Sequence, residues 1–393
     1  MNILRIAVIS YHTCPLSDEK NADFGGMNTY VLELSKALAE KGYIIDIFAK
    51  ATDKNSPAVI EVSLNLKVYH LQAEDISEFS NNLYEIIKKE KISYDLISAH
   101  YYLSGLVGLK LKEKINIPLF VTFHTLALMK NLVIRSQDEK ENLERIKSEI
   151  LLTKKADKII ATSESDLAYI HTLYSCPLER TTLLSPGVNL KLFKPIDKLT
   201  AKKFIKANPS HKIILFVGRM DPLKGIDVLL YTIKILIQKH PKLAFCLWVV
   251  GGKKIADKKE LQHLEEIRKA LGITSYVKFV NNKTQEELLY YYNSAEIVLM
   301  PSQYESFGMA ALEAMACAVP AIITDVTGIA GLLNRKHQSL LTSASNPIRL
   351  AQKINNLLTN TKEHKKMSQE VFKKVQDLSW ENTALKFIQI LRR

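Results

Sequence analysis

The stretch IVLMPSQYESFGMAALEAMACAVP, Ile297–Pro320, reads as three consecutive pieces. Ile297–Met300 is continuously apolar, the pattern of a strand covered on both faces. A short polar loop holding Glu305 follows, and an alanine-rich segment beginning near Phe307-Gly308 has the composition of a helix. Strand, short loop and helix in that order are the repeating unit of an open parallel sheet. The same alternation extends in both directions. Strand candidates are Ile6–Ser10, Ile44–Ala49, Leu96–Ala99, Leu119–Phe123 and Lys158–Thr162 in the first half. In the second half they are Lys212–Val217, Ala244–Val250, Val277–Phe279, Ile297–Met300 and Ala321–Thr324. The pattern restarts near residue 212, after a polar, lysine-rich passage, Asn189–Ser210, which reads as a linker. The expected fold class is therefore α/β, with two Rossmann-like, doubly wound parallel-sheet domains at residues 1–195 and 196–377. A last helix is expected in 378–393, with Ser379 as N-cap candidate and Leu385, Ile388 and Leu391 at helical spacing.

A chain of 393 residues, 47% hydrophobic and 24% charged, fits two globular domains rather than one core or a disordered polymer. No apolar run reaches membrane-spanning length, and MNILRIAVISYH reads as a first strand, not a secretory leader. Cys14, Cys176, Cys246 and Cys317 show no paired spacing, which suggests reduced thiols, a cytoplasmic protein and no metal site. Residues 1–195 hold 24 basic and 24 acidic side chains, so the whole net charge of +13 lies beyond them. A basic half suits an anionic ligand. Nucleic acid is not expected, because no helix-turn-helix, zinc finger or aromatic RNA-binding motif accompanies the charge. Much of the excess, as in Lys362–Lys374, has the look of a solvated helix face.

In open parallel sheets the loops after the strands hold the ligand. Gly25-Gly26-Met27-Asn28 opens an amphipathic helix, where glycines let a ligand approach backbone N–H groups that favour an anion. Glycine caps do the same for purely structural reasons, and there is no G-x-G-x-x-G fingerprint of a dinucleotide site. Gly218-Arg219 ends the first strand of the second half and Lys224 follows before a helix. Two cations at one strand end suit a diphosphate, although surface charges would look alike. In Glu305–Glu313, Glu305 beside a helix start can accept from two sugar hydroxyls, the N–H groups of Gly308 and Met309 can face phosphate, and Glu313 can reach ribose hydroxyls. The structural alternative has Glu305 capping the helix and Glu313 in solvent.

Six ordered segments together resemble one family: Gly25–Asn28, AHYYLSGLVG at Ala99–Gly108, FHTLALMKN at Phe123–Asn131, SPGVNLKLFKP at Ser185–Pro195, VGRMDPLKG at Val217–Gly225 and ESFGMAALEA at Glu305–Ala314. The chain is similar, over nearly its full length, to the retaining glycosyltransferases typified by sucrose-phosphate synthase and D-inositol-3-phosphate glycosyltransferase. That resemblance implies a GT-B fold, with the two domains facing a central cleft and the last helix crossing back to the first domain. It implies transfer of a hexosyl group from a nucleotide diphosphate sugar, such as a UDP- or GDP-sugar, with retention of configuration. The nucleotide sugar is a co-substrate; no cofactor is expected, and with no D-x-D motif neither is a metal.

By position the resemblance places Gly26 and Asn28 near the donor diphosphate and the acceptor. It gives Arg219 and Lys224 the leaving diphosphate, Glu305, Phe307 and Gly308 the donor sugar, Glu313 the ribose, and His124 a place beside the anomeric carbon. Tyr101, Thr125, Lys130 and Arg145, with Glu149 at its spacing from Arg145, match a cluster that grips the phosphate of a phosphorylated acceptor. Ala73 stands where the relatives have a phosphate-binding lysine, and Ser98 where they have a histidine two before His100. Lys130 and Arg145 could equally serve an internal salt bridge. The rival acceptor is lipid-linked or a lipopolysaccharide, with KKEK at Lys88–Lys91 and KLKEK at Lys110–Lys114 as a possible membrane-facing patch, although the neutral first half disfavours membrane association. A non-catalytic nucleotide-sugar-binding protein is a remoter reading. The sequence is silent on oligomeric state.

Overall fold

The structure, a computed structural model, describes residues 4–17, 25–51, 56–252, 255–326, 328–333 and 335–392. It divides into two compact units: the described residues up to Gly187 together with those from Trp380 onward, and Val188–Ser379. The first unit runs β1 (Arg5–Ser10), α1 (Gly26–Glu40), β2 (Ile44–Lys50), β3 (Val59–Ser63), β4 (Leu66–Leu71), α2 (Ile76–Lys89), β5 (Leu96–His100), α3 (Tyr102–Ile115) and β6 (Leu119–Thr122). It continues through α4 (Ala127–Val133), α5 (Leu143–Lys155), β7 (Lys158–Ala161), α6 (Glu164–Tyr174) and β8 (Thr181–Leu183). These strands form one sheet in the order β3-β4-β2-β1-β5-β6-β7-β8, parallel except for β3. The order reverses between β1 and β5, so the loops leaving those two strands diverge there.

The second unit runs α7 (Lys198–Phe204), β9 (Lys212–Val217), α8 (Ile226–Lys239), β10 (Phe245–Val250), α9 (Ile255–Ala270), β11 (Val277–Val280), α10 (Gln285–Ser294) and β12 (Ala295–Met300). Then come α11 (Met309–Ala316), β13 (Ala321–Thr324), β14 (Leu341–Thr342), α12 (Pro347–Thr359) and α13 (Thr361–Val375). Its sheet has the order β11-β10-β9-β12-β13-β14, all parallel, with the reversal between β9 and β12. One apolar core extends from Val188 to Val375. The last helix, α14 (Trp380–Leu391), packs on α1 of the first unit.

All ten expected strands form, within a residue or two of the expected ends. Four more are present. β3, β8 and β14 are edge strands and β4 pairs with the edge, and β3 alternates between exposed and partly buried residues instead of running continuously apolar. The Asn189–Ser210 passage is not a linker. Phe193 is buried in the second core, α7 packs on α10, and the Lys202 ammonium is buried with its Nζ donating to the carbonyls of Pro209 and His211 at 2.9 and 2.8 Å. The chain therefore passes into the second unit at Gly187/Val188, eight residues before the expected 195/196 boundary, and into α14 at Trp380. On α14 the buried face is Trp380, Thr383, Ala384, Phe387 and Ile388, while Leu385, expected on the apolar face, is exposed. No helix among the described residues is long and apolar enough to cross a membrane.

Candidate active site

In the second unit the sequence-selected residues collect where the sheet order reverses. β9 ends at Val217, and Gly218, Arg219 and the turn Pro222–Lys224 follow; β12 ends at Met300, and the loop to α11 carries Glu305. Two contacts bind these loops together. The Gln303 N–H donates to the Leu223 carbonyl at 2.8 Å. Gly225, at φ +68°, lies so close to the next loop that a Cβ would meet the Pro301 carbonyl oxygen at 2.6 Å. The close approach lets Lys224 form an ion pair with Glu305, both carrying some solvent exposure. Glu305 thus does not cap α11; its carboxylate belongs to the lysine.

The N-cap of α11 is Gly308, at φ +110°, with no side chain to satisfy the first turn. The first free N–H groups of α11 are therefore those around Met309, one helical position later than expected. Phe307 is buried, and Gly308 sits against Met300 and Ile329. Arg219 is 60% exposed, with Asp221 Oδ2 at 3.7 Å as its ion-pair partner. Beside Gly218, β10 is followed directly by Gly251, where a Cβ would collide with the Gly218 carbonyl oxygen at 1.8 Å. Glu313 is not in solvent. It is 7% exposed, and its Oε2 accepts from the fully buried Tyr292 hydroxyl at 2.6 Å. Burial and the neighbouring Glu313 carboxylate raise the Tyr292 phenol well above its usual range, so it stays a donor.

The first unit arranges its candidates differently. Gly25 is the N-cap of α1 and Gly26, its first residue, is exposed, but Asn28 turns inward and is 1% exposed. Its side chain donates to Thr13 Oγ1 and the Cys14 carbonyl and accepts from the Gly25 N–H, fastening the loop after β1 onto α1. At the ends of β5 and β6, Tyr101 and His124 both adopt left-handed backbone, φ +76° and +61°, a strained state that clusters at functional sites. The His100 and His124 rings stack, with His100 Nδ1 at 3.0 Å from His124 Nε2. Burial holds His100 down to about 3 and, with His100 beside it, His124 well below the usual histidine value, so both imidazoles are neutral.

Arg145 is 3% exposed and saturated with partners. It pairs with Glu149 and Glu141, both at 2.8 Å, donates to the Thr125 carbonyl and hydroxyl at 3.0 Å, and lies over the Tyr101 ring. Lys130 pairs with the same Glu141. Glu149 also accepts from the Ala127 N–H and the Tyr174 hydroxyl. Tyr101, Thr125, Lys130 and Arg145 are thus brought together, with two carboxylates balancing two cations. Glu141 and Tyr292 went unnoticed in the sequence. Glu141, Arg145 and Glu149 at intervals of four were the available signal for the first; nothing marks the second.

Residues 24–192 match the family described as Glycosyltransferase Family 4, and residues 197–374 the family described as Glycosyl transferases group 1. The chain is 31% identical to a D-inositol 3-phosphate glycosyltransferase of Thermobispora bispora over 98% of this chain and 94% of the relative. It belongs to this glycosyltransferase family. A D-inositol 3-phosphate glycosyltransferase 2 of Catenulispora acidiphila is 33% identical over 90% of this glycosyltransferase and 86% of its own length. Among solved structures, sucrose-phosphate synthase of Thermosynechococcus elongatus superposes with a TM-score of 0.90 at 31% identity, covering 99% of this chain and 98% of that one. The glycosyltransferase thus has the GT-B architecture of two parallel-sheet α/β domains, as in that synthase.

Proposed function

We propose that this glycosyltransferase moves a hexosyl group from a nucleotide diphosphate sugar to a hydroxyl of a phosphorylated small molecule, with retention and without a metal ion. The observation that carries the reading is the Arg219, Lys224, Glu305 constellation beside the open N-terminus of α11. In the proposed step the acceptor oxygen forms its bond to the anomeric carbon on the face from which the diphosphate departs. The bond from that carbon to the phosphate oxygen breaks, and the acceptor proton passes to the leaving diphosphate. Arg219, Lys224 and the N–H groups at the start of α11 meet the growing negative charge. Glu305 accepts from sugar hydroxyls once Lys224 turns to phosphate, Glu313 accepts from the ribose, and His124 lies at the reacting carbon. The cations meet the leaving charge, which supports catalysis independent of a metal.

The acceptor reading rests on Tyr101, Thr125, Lys130 and Arg145, and on the phosphorylated molecules in the names of the relatives. A phosphate would draw Lys130 from Glu141, and Arg145 would hold the site in shape. A second reading, a lipid-linked acceptor, is favoured by one observation: Lys88 and Lys114, from the two lysine-rich segments, flank the Tyr84 ring at 5.6 and 4.6 Å. A cytoplasmic location fits the four free cysteines. The test offers UDP- and GDP-sugars with inositol phosphate, fructose 6-phosphate or a lipid acceptor, and reads product anomeric configuration by NMR. Retained transfer to a phosphorylated acceptor in excess chelator supports the reading. Inversion, metal dependence or transfer to the lipid alone overturns it.

A further inference from the structure

His124 is placed beside the reacting carbon in the proposed function, and the present inference rests on that placement. His124 as a residue keeps some solvent exposure, whereas His100 next to it is 3% exposed. Two imidazoles with nitrogens 3.0 Å apart share one proton between those nitrogens, and the neighbours decide which ring donates. The deciding neighbour is Ser98 on β5, also 3% exposed, whose hydroxyl lies 3.4 Å from His100 Nε2. Among the described residues no other partner of that hydroxyl occurs. Were it only to accept from Nε2–H, its own buried proton would have no acceptor, the costlier arrangement. The Ser98 hydroxyl therefore donates to His100 Nε2, His100 Nδ1–H donates to His124 Nε2, and the proton of His124 sits on Nδ1.

We propose that His100 is a positioning residue, fixing His124 as the Nδ1–H tautomer so that the ring offers ligand oxygens a donor rather than an acceptor. Several features keep the relay rigid. The Tyr30 ring meets both imidazoles, at 5.8 and 5.0 Å between centroids, and Trp380 of α14 stands edge-on to Tyr30 at 5.5 Å. Left-handed backbone at Tyr101 and His124 aims the two strand ends. The neutral state of both rings, held by burial, is what makes a tautomer choice meaningful.

Full-length protein labelled with 15N in its histidines, with His124 assigned by its loss in His124→Gln, gives the tautomer directly. The expected spectrum has His124 Nε2 unprotonated and Nδ1 protonated; an Nε2-protonated His124 overturns the proposal. His100→Asn, whose amide can donate from the place of Nδ1, should keep this tautomer and a near-native kcat. His100→Leu should release the tautomer and lower kcat by about a hundredfold, at the lower end for a positioned proton donor, with the donor KM little changed. A His100→Leu enzyme with native kcat and an unchanged His124 tautomer also overturns it. If His100→Leu does not fold, the wild-type spectrum still decides. Native turnover of His124→Gln would overturn the catalytic placement of His124 while leaving the tautomer result standing.

Discussion

The two units carry their charges in opposite ways. In the second, Arg219 projects into solvent, Lys224 has a single carboxylate partner in Glu305, and the first turn of α11 has no capping side chain. In the first, Arg145 has two carboxylates, a carbonyl and a hydroxyl, Asn28 is turned into the loop it fastens, and the histidines are neutral. The second arrangement leaves positive potential that would meet the diphosphate of the proposed donor, where it would be worth most for binding and turnover. At the centre of the first, Arg145, Glu149 and Asn28 are already satisfied and contribute mainly shape. Substitutions in the second unit should therefore cost activity without stability, and those at the centre of the first should cost stability.

The largest effect is expected at Lys224→Ala, with kcat/KM lower by roughly 10²–10³-fold, as for loss of one charge-stabilising group. Thermal unfolding should shift little, because a partly exposed ion pair contributes about 1 kcal/mol or less; a large drop in Tm with native kcat/KM would erase the contrast. Arg145→Ala should do the reverse, destabilising by about 3–5 kcal/mol in denaturant unfolding, because Glu149 would be left buried and unpaired.

A third expectation concerns pH. His100 is held at about 3 in the folded chain against an ordinary value near 6.5 when unfolded. Below 6.5 the unfolded chain takes up a proton that the folded one refuses, so stability is lost as pH falls through 6.5 toward 3. From pH 7.5 to 5.5 the loss is about 1.4 kcal/mol for this group. Unfolding of wild type and His100→Asn at both pH values should show a pH-dependent loss smaller by about that amount in the variant; equal losses would mean that His100 is protonated in the fold. The smallest effect is expected at Tyr292→Phe, which removes one hydrogen bond from Glu313. Nucleotide-sugar binding, read by calorimetry, should weaken about fivefold to tenfold, and unchanged binding would detach Tyr292 from the site.

The parts of this contrast that were legible in the sequence follow from physical pattern. Central parallel strands such as β9 and β12 carry continuous apolar runs, Ile213–Val217 and Ile297–Met300, because both faces are covered there, so composition alone marks them. Edge strands carry no such mark: β14 has two residues and Val59 of β3 is exposed. The lysine-rich composition of 189–210 reads as a linker, but Lys202 hides its ammonium behind two backbone carbonyls, a local arrangement that composition cannot encode. For the candidate site, residue type and spacing singled out Arg219, Lys224 and Glu305, and the family resemblance Arg145. They did not tell a free cation from a paired one, because Lys224–Glu305 is set by the close approach at Gly225 and Arg145–Glu141 by the path of the chain into α5.

The most direct test of donor binding in the second unit is a calorimetric titration of UDP- and GDP-sugars into the wild-type chain and the Arg219→Ala/Lys224→Ala double variant, with circular dichroism as the control for folding. The expected result is that at least one nucleotide sugar binds wild type and is not detectably bound by the folded double variant. Equal affinity for both proteins would contradict the assignment.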